Sequence, residues 1–341
     1  MAGVLFDKSQ TALIEYPGGL SGSYTIPNSV TTVSYAAFYD CYSLTSVTIG
    51  TNVASIGDQA FFRCFWLTSA TIPKSVTSIG NAAFYFCSSL TNVTIGNGVT
   101  NIGDRAFSYC ARLTAITVDA LNPVYRSMDG VLFNQDQSVL IQCPGGKAGG
   151  YTIPNSVITI GSGAFIYCTN LTSATIPNSV TRIGDVAFAA CGSLTSVTIG
   201  NSVTNLGFNA FGSCSSLTGV YFTGNSLTPT NDLSVFSSDI KATVYYLPGT
   251  IGWGSMFDGR PTAIWQPQMQ TVGAGFGVQT NQFGFNINWA SGQTVVVEAS
   301  ANLSNPVWQP VQTNTLTGGA AYFSDPQWTN YPGRFYRLRS P

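Results

Sequence analysis

From Leu90 to Cys110 the apolar side chains fall on Leu90, Val93, Ile95, Val99, Ile102, Phe107 and Cys110, with polar residues between them. In LTNVTIG, Val93 and Ile95 stand two apart with Thr94 between them, which predicts a strand with one buried face ending at Gly96. Further on, Ala106 and Cys110 are four apart beside Phe107, a spacing that predicts a single helical turn closing the unit. Asp58, Asp104 and Asp185 share one phase just before that turn and read as its caps, although Asn81 and Ser162 hold the same position in other units.

The pattern returns on a schedule. Cys41, Cys64, Cys87 and Cys110 follow one another at 23 residues, and so do Cys168, Cys191 and Cys214. Each unit reads L-T-x-[VAI]-T-[IV], a polar turn, then V-x-x-[IL]-G-x-x-A-F-x-x-C. A unit this short cannot bury its own apolar residues, whereas stacked copies cover one another, so the period predicts a repeat solenoid. Strands centred on Thr25, Thr48, Thr71, Thr94, Thr117, Thr152, Thr175, Thr198, Tyr221 and about Val244 would make one parallel sheet of about ten rungs, roughly 45 Å long at ~4.8 Å per rung.

A larger repeat is nested over the small one. Gly3 to Val30 matches Gly130 to Val157 at a shift of 127 residues, and in both copies GVLF and LI flank a polar turn, predicting two β-hairpins inserted into longer coils as decorations of the solenoid. The tenth unit, LSVFSSDIKATVYYLPG, keeps Phe236 but places Asp239 where a cysteine is due, as a terminal repeat does. From about Gln266 the period stops. FGFNINW, TVVVEAS, PVWQPVQT, AAYFSD and RFYRLRS then read as short strands of a small β-sandwich, dividing the chain into a solenoid over residues 1–265 and an all-β module over 266–341. Arg334, Arg337 and Arg339 give that module a basic end, read as a solvated strand edge.

Composition narrows the chemistry. With 44% hydrophobic and 8% charged residues among 341, the chain has ample surface to bury. A net charge of -1 and thirteen scattered Lys and Arg residues leave no basic stripe for nucleic acid. The absence of histidine removes the usual general base and the commonest metal ligand. No stretch reaches the roughly 20 apolar residues of a transmembrane helix, and MAGVLFDKSQ has no signal-peptide pattern. MAGVLF aligns with MDGVLF at 128–133, so Met1 is read as a start placed within a longer repeat array.

Among candidate sites, the seven ladder cysteines Cys41, Cys64, Cys87, Cys110, Cys168, Cys191 and Cys214 are expected to be buried free thiols, since rungs ~4.8 Å apart exceed the ~3.5–4.5 Å between bridged Cβ atoms. Cys143 stands outside the ladder and is the thiol expected to react. No metal site, cofactor site or catalytic constellation is predicted; GAGFG and PGGKAGG lack the grammar of a phosphate loop. One surface repeats outward: Thr48, Thr71, Thr94, Thr117, Thr175 and Thr198, continued by Tyr221, beside a line of Ser46, Ser69, Asn92, Ser173 and Ser196. Threonine suits an exposed parallel sheet for packing reasons alone. The same line is also a neutral, hydroxyl-rich platform on which a protein or glycan could bind.

In-phase Ile-Gly, Ala-Phe, Cys and Leu-Thr through seven units, over about Gly3 to Trp265, resemble the BspA-type leucine-rich repeats of bacterial surface proteins. The resemblance implies a right-handed stack in a secreted or surface-attached, non-catalytic recognition or adhesion protein. The alternative class is a structural spacer or a water-ordering, ice-binding-like solenoid whose function lies in the C-terminal module.

Overall fold

Each repeat opens on a strand because its threonines and branched aliphatics alternate sides. In a computed structural model of the chain, which describes residues 3–227, 235–239 and 241–340, these strands stack in parallel and in register. Thr71 pairs with Thr94 and Thr94 with Thr117; Thr175 pairs with Thr198 and Thr198 with Tyr221. Their neighbours Val93, Ile95, Ile116, Val197 and Ile199 are fully buried. The result is a β-solenoid of about ten stacked turns. A second line of two-residue strands runs along another side of the coils, from Thr32–Val33 through Ser55–Ile56 and Ser78–Ile79 to Asn101–Ile102. Glycine follows that line because the coils approach closely there: a Cβ on Gly80 would lie 2.4 Å from Asp58 N, and one on Gly103 2.4 Å from Asn81 N.

The closing segment is not the helical turn expected. Ala82 and Phe86, then Arg105 and Tyr109, sit at φ of 51°, 60°, 55° and 62°, a left-handed residue every fourth position that no helix accommodates. Amides alternate in direction. Phe38 N and Asp40 N donate to Ala60 O and Phe62 O of the next coil at 2.7 and 2.9 Å, whereas Tyr39 N and Cys41 N bond back to Ala36 O and Phe38 O. A helix would satisfy its amides internally; here the neighbouring coil brings carbonyls within reach, and the turn opens to meet them. The aspartates follow suit. Asp58 Oδ1 accepts from Asn81 N at 2.8 Å, Asn81 Oδ1 from Asp104 N at 2.8 Å and Asp185 Oδ1 from Phe208 N at 2.9 Å, so they tie coils together rather than cap a helix.

The two hairpins are part of the stack rather than decorations on it. Leu5–Phe6 pairs antiparallel with Ala12–Glu15, and Val131–Asn134 with Val139–Gln142. The second strand of each pairs in parallel with the next coil, through Leu13 with Val33 and Leu140 with Ile160, and both leucines are fully buried. The Val131–Asn134 strand also divides the interior in two, with Leu132 in the core below it and Val131 and Phe133 in the core above. Asn122 starts this insertion. Buried, it donates from Nδ2 to Gly96 O and Val99 O at 3.0 and 2.9 Å and accepts from Val124 N and Tyr125 N at 2.9 and 2.8 Å.

At the far end, Phe236 stacks 5.8 Å from Phe211 and Asp239 holds the cysteine slot. Leu233 and Ser234 of that tenth unit, Ile240 and Met1 lie outside the described residues.

The chain forms two compact units, Met1–Val244 with Gly252–Thr262, and Tyr245–Ile251 with Ala263–Pro341. In the second, Gln282–Asn288 is hydrogen-bonded to Gln268–Gln270, Gly277–Gln279 and Ala320–Asp325, while Thr294–Ser300 lies between Gln309–Thr315 and Phe335–Arg339. Phe285, Ile287, Val295, Val297 and Phe323 from both antiparallel sheets form one core. The three arginines of the expected basic end share two carboxylates: Arg337 Nε and Arg339 Nε lie 2.7 and 3.0 Å from Glu298, which they hold below the usual glutamate range, and Arg334 Nε lies 2.6 Å from Asp325.

Candidate functional site

The strand-face threonines stand where alternation puts them. Thr48, Thr71, Thr94, Thr117 and Thr175 are exposed, and Thr198, which pairs with Tyr221, is half-buried. What separates this line from the other threonines is its hydrogen bonding. In the Leu-Thr positions Thr68, Thr91 and Thr114 donate Oγ1 to the backbone of the preceding coil at 3.2, 3.0 and 3.1 Å. Thr77, Thr100 and Thr204 do the same beside the second strand line. Among the described residues, Thr48, Thr71, Thr94, Thr117, Thr175 and Thr198 make no side-chain hydrogen bond, so their hydroxyls face solvent with both donor and acceptor open.

The line is not continuous. Between Thr117 and Thr152 the inserted strands cover the coil: Gly130 O accepts from Ile116 N at 2.9 Å and Ser127 Oγ from Val118 N at 3.1 Å. The platform therefore has two parts, one of Thr48, Thr71, Thr94 and Thr117 and one of Thr175 and Thr198 ending at Tyr221. Gly219 lacks the side chain that Ser196 carries in the same register, and a Cβ there would meet the Tyr221 ring at 2.6 Å. The ring thus lies across that slot, half-buried, where the line of threonines stops, although the sheet itself continues through Thr243–Tyr246.

All eight cysteines are free and buried. Cys64, Cys87 and Cys110 donate Sγ–H to Phe38 O, Phe61 O and Phe84 O at 3.1 Å each, and Cys191 and Cys214 to Phe165 O and Phe188 O at 3.0 and 3.1 Å. Burial raises the Cys87 thiol well above its ordinary pKa; contact with a neighbouring thiol, then burial, raises Cys41, Cys168 and Cys214. These four form no thiolate at neutral pH, whereas hydrogen bonds from Cys41 and Cys87 lower the pKa of the Cys64 thiol, which lies buried between them. Cys143, expected to be the reactive one, is 0% exposed because the hairpin carrying it is built into the second core. Among the described residues no cluster of three Cys, Asp or Glu side chains could hold a metal.

The structure adds a surface that the alternation argument passed over. On the closing side, Tyr39, Phe62 and Tyr85 stack with centroids 5.0 and 5.2 Å apart, Tyr109 follows at 4.8 Å and Tyr167 at 4.5 Å, while Tyr42 stacks on Phe65 at 5.3 Å. Trp66 is 62% exposed beside them. Its signal was the aromatic residue one or two places after the repeat phenylalanine, as in Phe38-Tyr39, Phe61-Phe62 and Phe84-Tyr85.

This architecture defines a leucine-rich-repeat solenoid. The chain belongs to the family described as BspA type Leucine rich repeat region, matched in six copies over residues 21–128 and 148–251. That family is one of bacterial surface or secreted proteins, typically non-catalytic. A leucine-rich repeat protein of Eubacterium ventriosum is similar at 27% identity with a TM-score of 0.56, over 66% of this chain and 66% of that one, so just under two thirds of its length is spanned. A leucine rich cell surface protein of Faecalibacterium prausnitzii is 29% identical over 67% of this chain and 74% of its own, with a TM-score of 0.47. No curated protein sequence matches the chain. No helix among the described residues is long and apolar enough to cross a membrane.

Proposed function

We propose that the protein is a secreted or surface-attached, non-catalytic recognition or adhesion protein that presents its strand face to a protein or glycan, with residues 266–341 forming a separate module. The observation that carries this reading is the line of six threonines whose hydroxyls stay open while the other threonine lines bond the backbone. Weak hydrogen bonds repeated on successive coils add up along one extended ligand where a single rung could not hold it. Tyr221 supplies an aromatic edge at one end. The test is a glycan and matrix-protein array probed with the native chain and with a Thr71→Lys/Thr94→Lys/Thr117→Lys variant. These exposed positions tolerate lysine, so the variant is expected to fold and to lose binding. A folded variant that binds as before overturns the strand-face reading. Thermal hysteresis of the native protein in freezing water would favour the water-ordering alternative instead.

A second contact surface has its own observation. Tyr35, Tyr39, Tyr42 and Trp66 are 67%, 40%, 43% and 62% exposed on the first coils, more aromatic surface than folding requires. Trp66→Ala with Tyr42→Ala should weaken binding if the closing side is used and leave it unchanged if the strand face alone serves.

A further inference from the structure

The second unit contains a depression of about 420 Å³ for which neither the repeat nor its strand face accounts. Asn302, Asn305, Gln309, Gln327, Tyr331 and Arg334 line it, and Arg334 is the one charged residue in that lining. The arginine is fixed from behind. Its side chain is 9% exposed, with Nε 2.6 Å from Asp325 Oδ2 and the guanidinium 4.1 Å from the centre of the Tyr331 ring. Asp325 is itself buried and also accepts from Tyr336 OH at 2.9 Å and from Gln327 N at 2.8 Å. One carboxylate therefore sets the position of both the arginine and the segment that carries Gln327. Arg334 meets its carboxylate through Nε, as Arg337 and Arg339 meet Glu298, and its guanidinium also engages Tyr331; neither Nη1 nor Nη2 bonds a carboxylate or a backbone carbonyl among the described residues. The amides are open as well. Asn302 Oδ1 accepts from Ser304 N at 2.8 Å, but the side chains of Asn305, Gln309 and Gln327 make no hydrogen bond among the described residues.

Amide groups both donate and accept, as sugar hydroxyls do, and a fixed guanidinium presents a planar fork that fits a carboxylate through two parallel N–H···O bonds. A phosphate monoester would bring more negative charge than one already paired arginine offsets, and a sulfate ester presents three tetrahedral oxygens rather than the planar pair that a guanidinium fork matches. A neutral sugar would leave the fork unmatched. We propose that this depression binds a carboxylated sugar, a uronic-acid-type unit of an acidic polysaccharide, with Arg334 taking the carboxylate and the surrounding amides its hydroxyls. The site lies wholly within the second unit and is independent of the strand-face reading.

Affinity electrophoresis of the full chain tests it, with polygalacturonate in the gel, its fully methyl-esterified form as a neutral match, and dextran sulfate as a polyanion without carboxylates. Polygalacturonate is expected to retard the protein at least tenfold more strongly than either control. Arg334→Lys, which keeps the charge but loses the fork, should weaken retardation at least tenfold. An Asn305→Ala/Gln327→Ala variant, altered at exposed positions away from the ion pair, should weaken it severalfold, and this variant decides if Arg334→Lys fails to fold. Trp66→Ala, in the other unit, should leave it unchanged. Equal retardation by the esterified polymer or by dextran sulfate, unchanged retardation in the folded site variants, or no retardation at all would overturn the proposal.

Discussion

Leu132 and Phe133 are consecutive in the chain, yet their side chains pack into different cores, Leu132 with the coils below the second hairpin and Phe133 with those above it. Strand alternation requires this, because successive side chains leave opposite faces of the backbone. A hairpin buried on both faces is a partition within the solenoid, and the stacked phenylalanines Phe38, Phe61, Phe84 and Phe107 stop at it, to resume at Phe165, Phe188 and Phe211.

Truncating either partition residue should therefore loosen a different half. Leu132→Ala and Phe133→Ala are each expected to cost about 2–5 kcal/mol. Hydrogen exchange should quicken mainly in the coil of Ala106 to Leu113 for the first and in that of Ala164 to Leu171 for the second. Identical exchange patterns in the two variants would contradict the partition.

Asn122 is the polar counterpart of that partition. Asn122→Ala leaves the carbonyls of Gly96 and Val99 and the amides of Val124 and Tyr125 without their partner, and a loss of about 2–4 kcal/mol is expected in denaturant unfolding. Asn122→Asp should be worse, since a carboxylate faces two carbonyls and cannot donate to them. A silent Asn122→Ala would show that water replaces the side chain.

For the thiols, alkylation of the native protein is expected to label less than one cysteine per chain, and alkylation after unfolding all eight. The reason is burial, which keeps the reagent away from every sulfur atom. Rapid native labelling of Cys143 would show that the second hairpin opens locally.

Asp239, 2% exposed in the cysteine slot, makes no hydrogen bond of ordinary geometry at either carboxylate oxygen, and burial raises its pKa to about 7, an effect that the nearby Cys214 amide and the charge of Arg260 only partly offset. The sign follows from linkage. Below the ordinary value of 3.8 both states are protonated; between there and about 7 the unfolded chain has released a proton that the folded chain keeps, so stability falls as pH rises through that window and levels off above it. Asp239→Asn is expected to stabilise the protein at pH 8 by about 1–2 kcal/mol, less than the full shift implies because solvent screens the charge, and to leave it unchanged near pH 3.5. Melting temperatures of the two proteins across that range provide the check. A variant that melts lower at pH 8 would mean that the carboxylate is held by a partner.

The repeat, the register and the inward and outward sides were legible in the sequence because they are local. Val93 and Ile95 alternate with Thr94 whatever lies above them, and a 23-residue copy stacked on itself must return Cys87 onto Cys64 and Thr94 onto Thr71. The hydroxyl line followed from that pairing. What the period could not contain was decided by contacts between distant residues. The left-handed closing turn at Ala82 and Phe86 exists because the next coil offers carbonyls, and Asp58 bonds Asn81 N for the same reason. The second hairpin looked peripheral because its strands interrupt the repeat, yet the pairing of Leu140 with Ile160 builds it into the stack. Arg334, read as part of a charged strand edge, was fixed by Asp325 and Tyr331. Local alternation determines which way a side chain points; only the assembled sheets determine what it meets.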